Sequence, residues 1–226
     1  MKLKSDFLNE IYQRGFIYQS TDLEDLDQYL NKNKITGYIG FDITNDSLHI
    51  GSLVQLMLLN WMDYFEQKPI ALVGGGTTLI GDPSGKIKSR PIISREEINK
   101  NIVNIKKTFG RYINLDGNGK VVDNYDWLSK LEWIDFLREI GSKITINKML
   151  TFDSVKKRID NEQPLSFLEF NYMIFQAYDF YYLNKYYNCS LQMGGSDQWG
   201  NIVSGIDLVK KISKKKCLCY YISFDY

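Results

Sequence analysis

His49 is the only histidine among 226 residues. It stands in Gly40-Phe41-Asp42-Ile43-Thr44-Asn45-Asp46-Ser47-Leu48-His49-Ile50-Gly51, where an apolar run over 35–41 gives way to a helical pattern over 53–65. A strand-to-helix junction presents unpaired backbone N–H groups and the positive end of a helix dipole. That geometry holds anions, phosphate above all. Gly40, Gly51 and Ser52 are small enough to let a bulky ligand approach the backbone, and Thr44 and His49 offer neutral donors beside it.

Three further stretches carry side chains that chemistry could use. Gly74-Gly75-Gly76-Thr77-Thr78-Leu79-Ile80-Gly81-Asp82-Pro83-Ser84-Gly85-Lys86 resembles a phosphate loop superficially, with Gly76 and Gly81 suitably spaced, but Asp82 stands where the loop lysine belongs. An acid there repels phosphate and suits an ammonium group; Lys86 and Arg90 follow as cations. A glycine-rich turn with solvated charges reads the same way. Tyr172, Gln176 and Asp179 fall on one face of a mostly apolar helix at 100° per residue. A carboxylate there needs a partner or carries a desolvation penalty. A ligand bearing donors would satisfy it, as would exposure of the stripe or a backbone group capped by Asp179. Finally, 191–201 reads as strand, glycine turn and helix start, with Asp197 and Gln198 at its head. In an open parallel sheet, ligands sit at such strand ends, although an ordinary cap by Ser196 or Asp197 has the same pattern.

The elements that must position these groups follow from periodicity. Helices are predicted over 7–14 and after Thr21-Asp22-Leu23-Glu24, a capping-box start with Leu23, Leu26 and Leu30 on one face. A strand over 35–41, a helix over 48–66 with Leu53, Leu56, Leu58 and Leu59 inward, and a strand over 69–73 come next. Ser94 opens a helix striped by Ile98, Ile102, Ile105 and Phe109. Asp116-Gly117-Asn118-Gly119 is a turn. A strand over 121–125, a helix capped at Ser129 and closed near Gly141, an aromatic helix over 165–183, a strand over 189–193 and a helix over 199–213 complete the pattern. The strand–helix–strand order predicts an α/β fold: a Rossmann-like parallel sheet with helices on both faces and right-handed crossovers. We read one domain over 1–216 with a helical insertion near 111–163, and an atypical end over 217–226.

A net charge of +1 gives no overall nucleic-acid signature, so RNA contacts must come from local patches. Three cysteines without metal-ligand spacing and a single histidine argue against a zinc cluster and for a reducing compartment. The N-terminus lacks the apolar core of a signal peptide and no apolar run reaches membrane length. The predicted location is cytoplasmic, an organellar matrix being the alternative.

In this order, the blocks GFDITNDSLHIGS, GGGTTLIGDPSGK, NYDWL, FNYMIFQAYDF and LQMGGSDQWGNI closely resemble those of the bacterial-type tyrosyl-tRNA synthetases, class I aminoacyl-tRNA synthetases, from about Phe7 to Ile212. The resemblance implies tyrosine, ATP and tRNA(Tyr) as partners, with ATP and Mg2+ entering as substrate, no tightly bound cofactor and no protein-held metal. It further implies that Tyr38 and Asp179 hydrogen-bond the substrate phenol, that Asp82, Tyr172 and Gln176 hold its ammonium group, and that Thr77 and Asn124 line the same pocket. Gln192, Gly195, Asp197 and Gln198 would contact ribose and the reacting carboxylate region. Gly40 and Asp42 would lie against the adenosine, with Gly51 and Ser52 also in the nucleotide site. Thr44 and His49 would stabilise departing pyrophosphate, and Lys86 and Arg90 would act late. The implied reaction is attack of the tyrosine carboxylate on the α-phosphate of ATP, then transfer to tRNA. Relatives are homodimers through the inserted helices, and Phe167 and its neighbours match that interface.

The sequence departs from the family in three places. Ser52 replaces a second histidine, and Ile39 stands where some relatives offer a polar ribose contact; the expected effect is on the order of one hydrogen bond, ~1 kcal/mol. The lysine loop of KMSKS type, its preceding strand and the RNA-reading domains find no counterpart. The lysine run 210–216 reads as a solvated helix end, and the match is expected to stop at Cys217. On this reading the chain is a truncated catalytic domain; the competing reading is a non-catalytic tyrosine- or adenylate-binding remnant.

Overall fold

The computed structural model describes residues 3–80, 93–213 and 220–224. In chain order its elements are α1 (Asp6–Gln13), β1 (Gln19–Ser20), α2 (Leu23–Leu30), β2 (Thr36–Phe41), α3 (Ser52–Tyr64), β3 (Lys68–Val73), α4 (Thr77–Ile80) and α5 (Arg95–Phe109). Then follow β4 (Lys120–Asp123), α6 (Tyr125–Leu128), α7 (Trp133–Glu139), α8 (Ile146–Met149), α9 (Asp153–Asp160), α10 (Phe167–Tyr187), β5 (Cys189–Gly195), α11 (Trp199–Ser213) and β6 (Tyr220–Phe224). Single 3-10 turns lie at Gly141–Lys143 and Ser196–Gln198.

The strands form one sheet in the order β1-β6-β5-β2-β3-β4. All neighbours run parallel except the two-residue edge strand β1, which pairs antiparallel with β6. From β2 the chain steps outward through β3 to β4, then returns to place β5 on the other side of β2. The reversal of winding direction therefore falls between β2 and β5, where such sheets open a crevice at their carboxyl ends.

Strand alternation decides which side chain faces which layer. Ile39, Phe41, Ala71 and Val73 enter a core with residues of α1, α2, α3 and α5. Tyr38, Ile70 and Leu72 face the other way, against Trp127 of α6, Phe180 and Leu183 of α10, and Ile206 and Val209 of α11. Helices thus cover both faces, as the sequence pattern predicts. Gly37 permits the close approach of α3: a Cβ there would lie 2.9 Å from Met62 Cε and 3.2 Å from Leu191 Cβ.

Several local expectations need correcting. Asp22, not Thr21, caps α2, accepting from Asp25 N at 3.0 Å. The helix expected from 48 begins only at Ser52, and Leu53 is exposed. Ser129 ends α6 and donates its hydroxyl to Tyr125 O, while α7 starts after Glu132 with no side-chain cap. The aromatic helix α10 is capped reciprocally by Ser166 and Glu169 and runs to Tyr187, where Asn188 turns left-handed at φ 52°; asparagine supplies the stop usually read from glycine. The span 111–163 contains β4, an edge strand of the sheet, so its helical part begins at Tyr125. Of the end over 217–226, the described part, 220–224, belongs to the sheet. Tyr220–Phe224 pairs in register with Leu191–Gly195, as a run of aromatic and β-branched residues favours. In the lysine run, Lys210 and Lys211 close α11, and Lys211 donates to Lys143 O.

Candidate active site

A cleft of about 460 Å³ opens at the carboxyl ends of β2 and β5. Its buried end includes Tyr38, Asn124, Asp179 and Gln192; its open end includes Thr44 and the exposed His49. The acid Asp179 and the imidazole of His49 therefore share one cavity.

Asp179 is the centre of the buried end and is 2% exposed. Trp127 Nε1 donates to its Oδ1 at 2.7 Å, and Asn124 Nδ2 donates to its Oδ2 at 2.9 Å. Burial pushes the carboxyl up to about 7; the two donors pull against that shift, and the neighbouring Asp123 adds to it. Two lone-pair sites of a carboxylate are thereby used, leaving capacity for another donor.

Asn124 is itself saturated. Its Oδ1 accepts from Gly76 N at 2.7 Å and Thr77 N at 3.4 Å, and its Nδ2 also reaches Thr77 Oγ1 at 3.0 Å. Asn124 thus lines the cleft without a polar group to spare, and acts by orienting Asp179. Tyr38 is fixed differently, its ring stacked on Phe180 at 5.9 Å.

Tyr172, Gln176 and Asp179 share the cleft as their spacing on one helix face requires. Gln176 Nε2 donates to Gln198 Oε1 at 3.4 Å. Gln176 Oε1 and Gln192 Oε1 are buried without a hydrogen-bond partner among the described residues. Buried acceptors in that state attract a ligand with N–H groups.

At the open end Gly40, Asp42, Thr44, His49 and Ser52 line the cleft, and Gly195 closes it from β5. A Cβ on Gly40 would meet nothing within 4 Å, so open space lies above the strand there. Gly51 is the N-cap of α3, which carries no side-chain cap bond, and Gly51 does not line the cleft. Ile39 belongs to the core and is not among the residues that line the cleft. Asp197 falls on the turn Ser196–Gln198; its side chain, like residues Asp82, Lys86 and Arg90, lies outside the described part.

Trp127 was not singled out by sequence reasoning. Its position three residues after Asn124, in the same helical turn, was the available signal. Its ring stacks on Tyr182 at 4.4 Å, which aims the indole N–H inward.

The family described as tRNA synthetases class I (W and Y) matches residues 30–224. The chain belongs to this family. The match runs through β6, which overturns the expected break at Cys217. A protein named tyrosine–tRNA ligase from Wolbachia pipientis subsp. Culex pipiens is 58% identical over 218 residues, covering 94% of this chain and 52% of the relative. Another from Rickettsia bellii is 54% identical over 213 residues, covering 93% and 52%. The chain spans about half the length of these curated relatives. Among solved structures, a C-terminally truncated mitochondrial tyrosyl-tRNA synthetase from Coccidioides posadasii superposes with a TM-score of 0.84 at 29% identity, covering 97% of this chain and 66% of that one. A tyrosyl-tRNA synthetase from Archaeoglobus fulgidus, complexed with L-tyrosine, shares the fold at a TM-score of 0.73 and 15% identity, covering 97% and 64%.

The site predicts how Trp127 contributes. The folded-state value for Asp179, about 7, exceeds the ordinary 3.8, so the native state binds more protons and its stability falls as pH rises through that window. A donor to Asp179 matters most once the carboxyl is ionised. Trp127→Phe should cost about 2–3 kcal/mol at pH 8 and nearer 1 kcal/mol at pH 5.5, measured by urea unfolding. An equal loss at both pH values would show that Trp127 does not serve the ionised group.

Proposed function

We propose that the chain activates L-tyrosine with ATP to tyrosyl-adenylate, as the catalytic part of a tyrosine–tRNA ligase that then charges tRNA(Tyr). The observation that carries this reading is the buried carboxyl of Asp179, with acceptor capacity left over, at the end of a cleft that also contains Tyr38. A phenol hydroxyl fits that acceptor. A phenylalanine ring would leave it unsatisfied, a selectivity for which the tyrosyl enzymes are themselves the standard example. The names of relatives more than 50% identical support the same substrate.

In this reading Tyr172 and Gln176 receive the ammonium group together with Asp82, while Thr77 and Asn124 shape the pocket wall. Gln192, Gly195, Asp197 and Gln198 hold the ribose and the reacting carboxylate. Gly40 and Asp42 lie against adenosine, with Ser52 and Gly51 nearby. Bringing the tyrosine carboxylate against the α-phosphate supplies part of the rate by placement. Thr44 and His49 donate to the charge that develops on the departing pyrophosphate, and Lys86 and Arg90 add cationic stabilisation. Mg2+ would arrive with the nucleotide, since it binds mainly through phosphates and keeps its waters. The activated tyrosine then passes to the terminal ribose of tRNA.

We also propose a homodimer through the helical segment. Trp133, Ile134, Leu137, Ile146, Phe167 and Leu168 are exposed there, and Phe167 is 70% accessible. Apolar side chains grouped in this way mark an interface. Among the described residues no helix is long and apolar enough to cross a membrane.

Calorimetry tests the substrate. If the phenol donates to ionised Asp179, tyrosine affinity should rise about tenfold from pH 6 to pH 8 as a group titrating near 7 loses its proton. Absence of binding, or a flat profile, would refute the assignment. His49→Ala should slow tyrosine-dependent ATP–pyrophosphate exchange by about 10²–10³-fold and leave the tyrosine Kd within about twofold; equal losses in both would remove His49 from catalysis. Phe167→Asp should convert a dimer to a monomer in sedimentation velocity, and a wild-type chain that sediments as a monomer would end the dimer proposal.

A further inference from the structure

The tyrosine reading leaves one group of charged residues unexplained. Arg95, the first residue of α5, reaches 28 positions along the chain to Asp123, donating from Nη2 to Oδ2 at 3.0 Å. Its guanidinium also lies over the Tyr125 ring, 3.7 Å from the centroid. Asp123 and Tyr125 are the two neighbours of Asn124. The other oxygen of Asp123 accepts from Tyr125 N at 2.9 Å, which caps the first turn of α6 in place of Asn124, whose side chain makes no cap bond. The bare backbone of Gly75 makes room for this arrangement: a Cβ there would fall 2.2 Å from Asp123 Oδ1 and 2.5 Å from Arg95 Nη1.

The consequence is mechanical and electrostatic at once. Both donors to Asp179, Asn124 Nδ2 and Trp127 Nε1, come from the single short turn that Arg95 grips from outside. The ion pair is mostly shielded, with side chains 24% and 13% exposed. Its desolvated setting strengthens the attraction relative to a surface pair. Arg95 also balances Asp123, the charge that acts on Asp179 from the β4 side. The other titratable side chains that line the described cleft are Tyr38 and Tyr172, with Asp42 and His49 toward its open end.

We propose that Arg95 is a positioning residue for side-chain recognition: by clamping Asp123 and Tyr125 it sets the Asn124–Trp127 turn on Asp179 and offsets part of the negative charge that Asp123 presents to that side. The assignment rests on the tyrosine reading for its functional meaning but not for its test.

The test reads Asp179 directly. The carboxyl 13C resonance of Asp179, assigned by its loss in Asp179→Asn, is titrated in the ligand-free protein. Arg95→Met should raise its midpoint by about one unit. Asp123→Asn should lower it, and Arg95→Met combined with Asp123→Asn should return it to or below the wild-type value. Arg95→Lys, which keeps the charge, should stay near wild type. In parallel, tyrosine binding to Arg95→Met should weaken about fivefold at pH 7 and nearly recover by pH 8.5, the pattern of a shifted titration. Loss of affinity by the same factor at every pH, with an unmoved 13C midpoint, would make Arg95 a purely structural residue and overturn the proposal. If wild type binds no tyrosine, the substrate reading fails while the 13C titrations still decide the role of Arg95. Should Arg95→Met not fold, Asp123→Asn alone carries the opposite-signed shift, and an unmoved midpoint there is equally decisive.

Discussion

A carboxyl with almost no access to water, placed in the middle of a mostly apolar helix, is the constraint around which this molecule is organised. Asp179 could not sit there ionised without donors, because the desolvation of a lone charge exceeds what any single packing contact returns. Supplying those donors draws three elements together. The turn after β4 brings Asn124 and Trp127, the start of α4 holds Asn124 through Gly76 and Thr77, and α10 carries the acid. Glycines at 75 and 76 are required by the same crowding, since a Cβ on either would press against Asp123, Arg95, Asn124 or Leu128. What looks in sequence like a phosphate loop is, at its first three residues, clearance for a hydrogen-bond network.

Sheet alternation then divides the cleft into a covered end and an open one. Tyr38 and Gly40 lie on the same face of β2, two residues or about 7 Å apart along the strand. Tyr38 is covered by Phe180 of α10, whereas Gly40 looks into open space near the carboxyl end. A ligand lying along this face has one end sealed under α10 and the other exposed to solvent at the α3 terminus. The winding reversal between β2 and β5 is what keeps a covering helix away from that second end.

Much of this was legible in the sequence because it is local. The Ser94 cap and its Ile98, Ile102, Ile105 and Phe109 stripe, the limits of α11, and the shared face of Tyr172, Gln176 and Asp179 follow from periods and caps that need no tertiary information. The failures are non-local. The early start given to α3 followed the apolar pattern through Leu48, but the chain turns irregularly around the cleft before Ser52. Trp127 offered only its spacing from Asn124, and Arg95 offered nothing, because Trp127 acquires its role only against Asp179 of α10 and Arg95 only against Asp123 and Tyr125. The β6 segment was misjudged because its composition departs from the expected motif while its backbone pairing, which is what the sheet demands, is indifferent to motif.

The two ends of the cleft are prepared to different degrees, and the difference has an energetic sense. At the buried end the donors of Asn124 and Trp127 are committed to Asp179, while acceptors remain over: spare lone pairs on Asp179 and the side-chain oxygens of Gln176 and Gln192. Keeping Asp179 ionised at pH 8 against an intrinsic preference near 7 rather than 3.8 weakens the empty fold by about 4 kcal/mol relative to an unperturbed acid. A ligand with a hydroxyl at one point and N–H groups at another relieves that deficit, and one lacking them cannot. The open end shows no comparable buried deficit: the α3 terminus has no side-chain cap, but Ser52 N and Leu53 N donate to His49 O and Ile50 O in the turn before it. If the proposed function holds, discrimination is built into the folded protein before any ligand arrives, whereas stabilisation of a developing phosphate charge has to be assembled around the ligand itself. On the proposed reading, such an arrangement would select its small acid first and organise the reaction second.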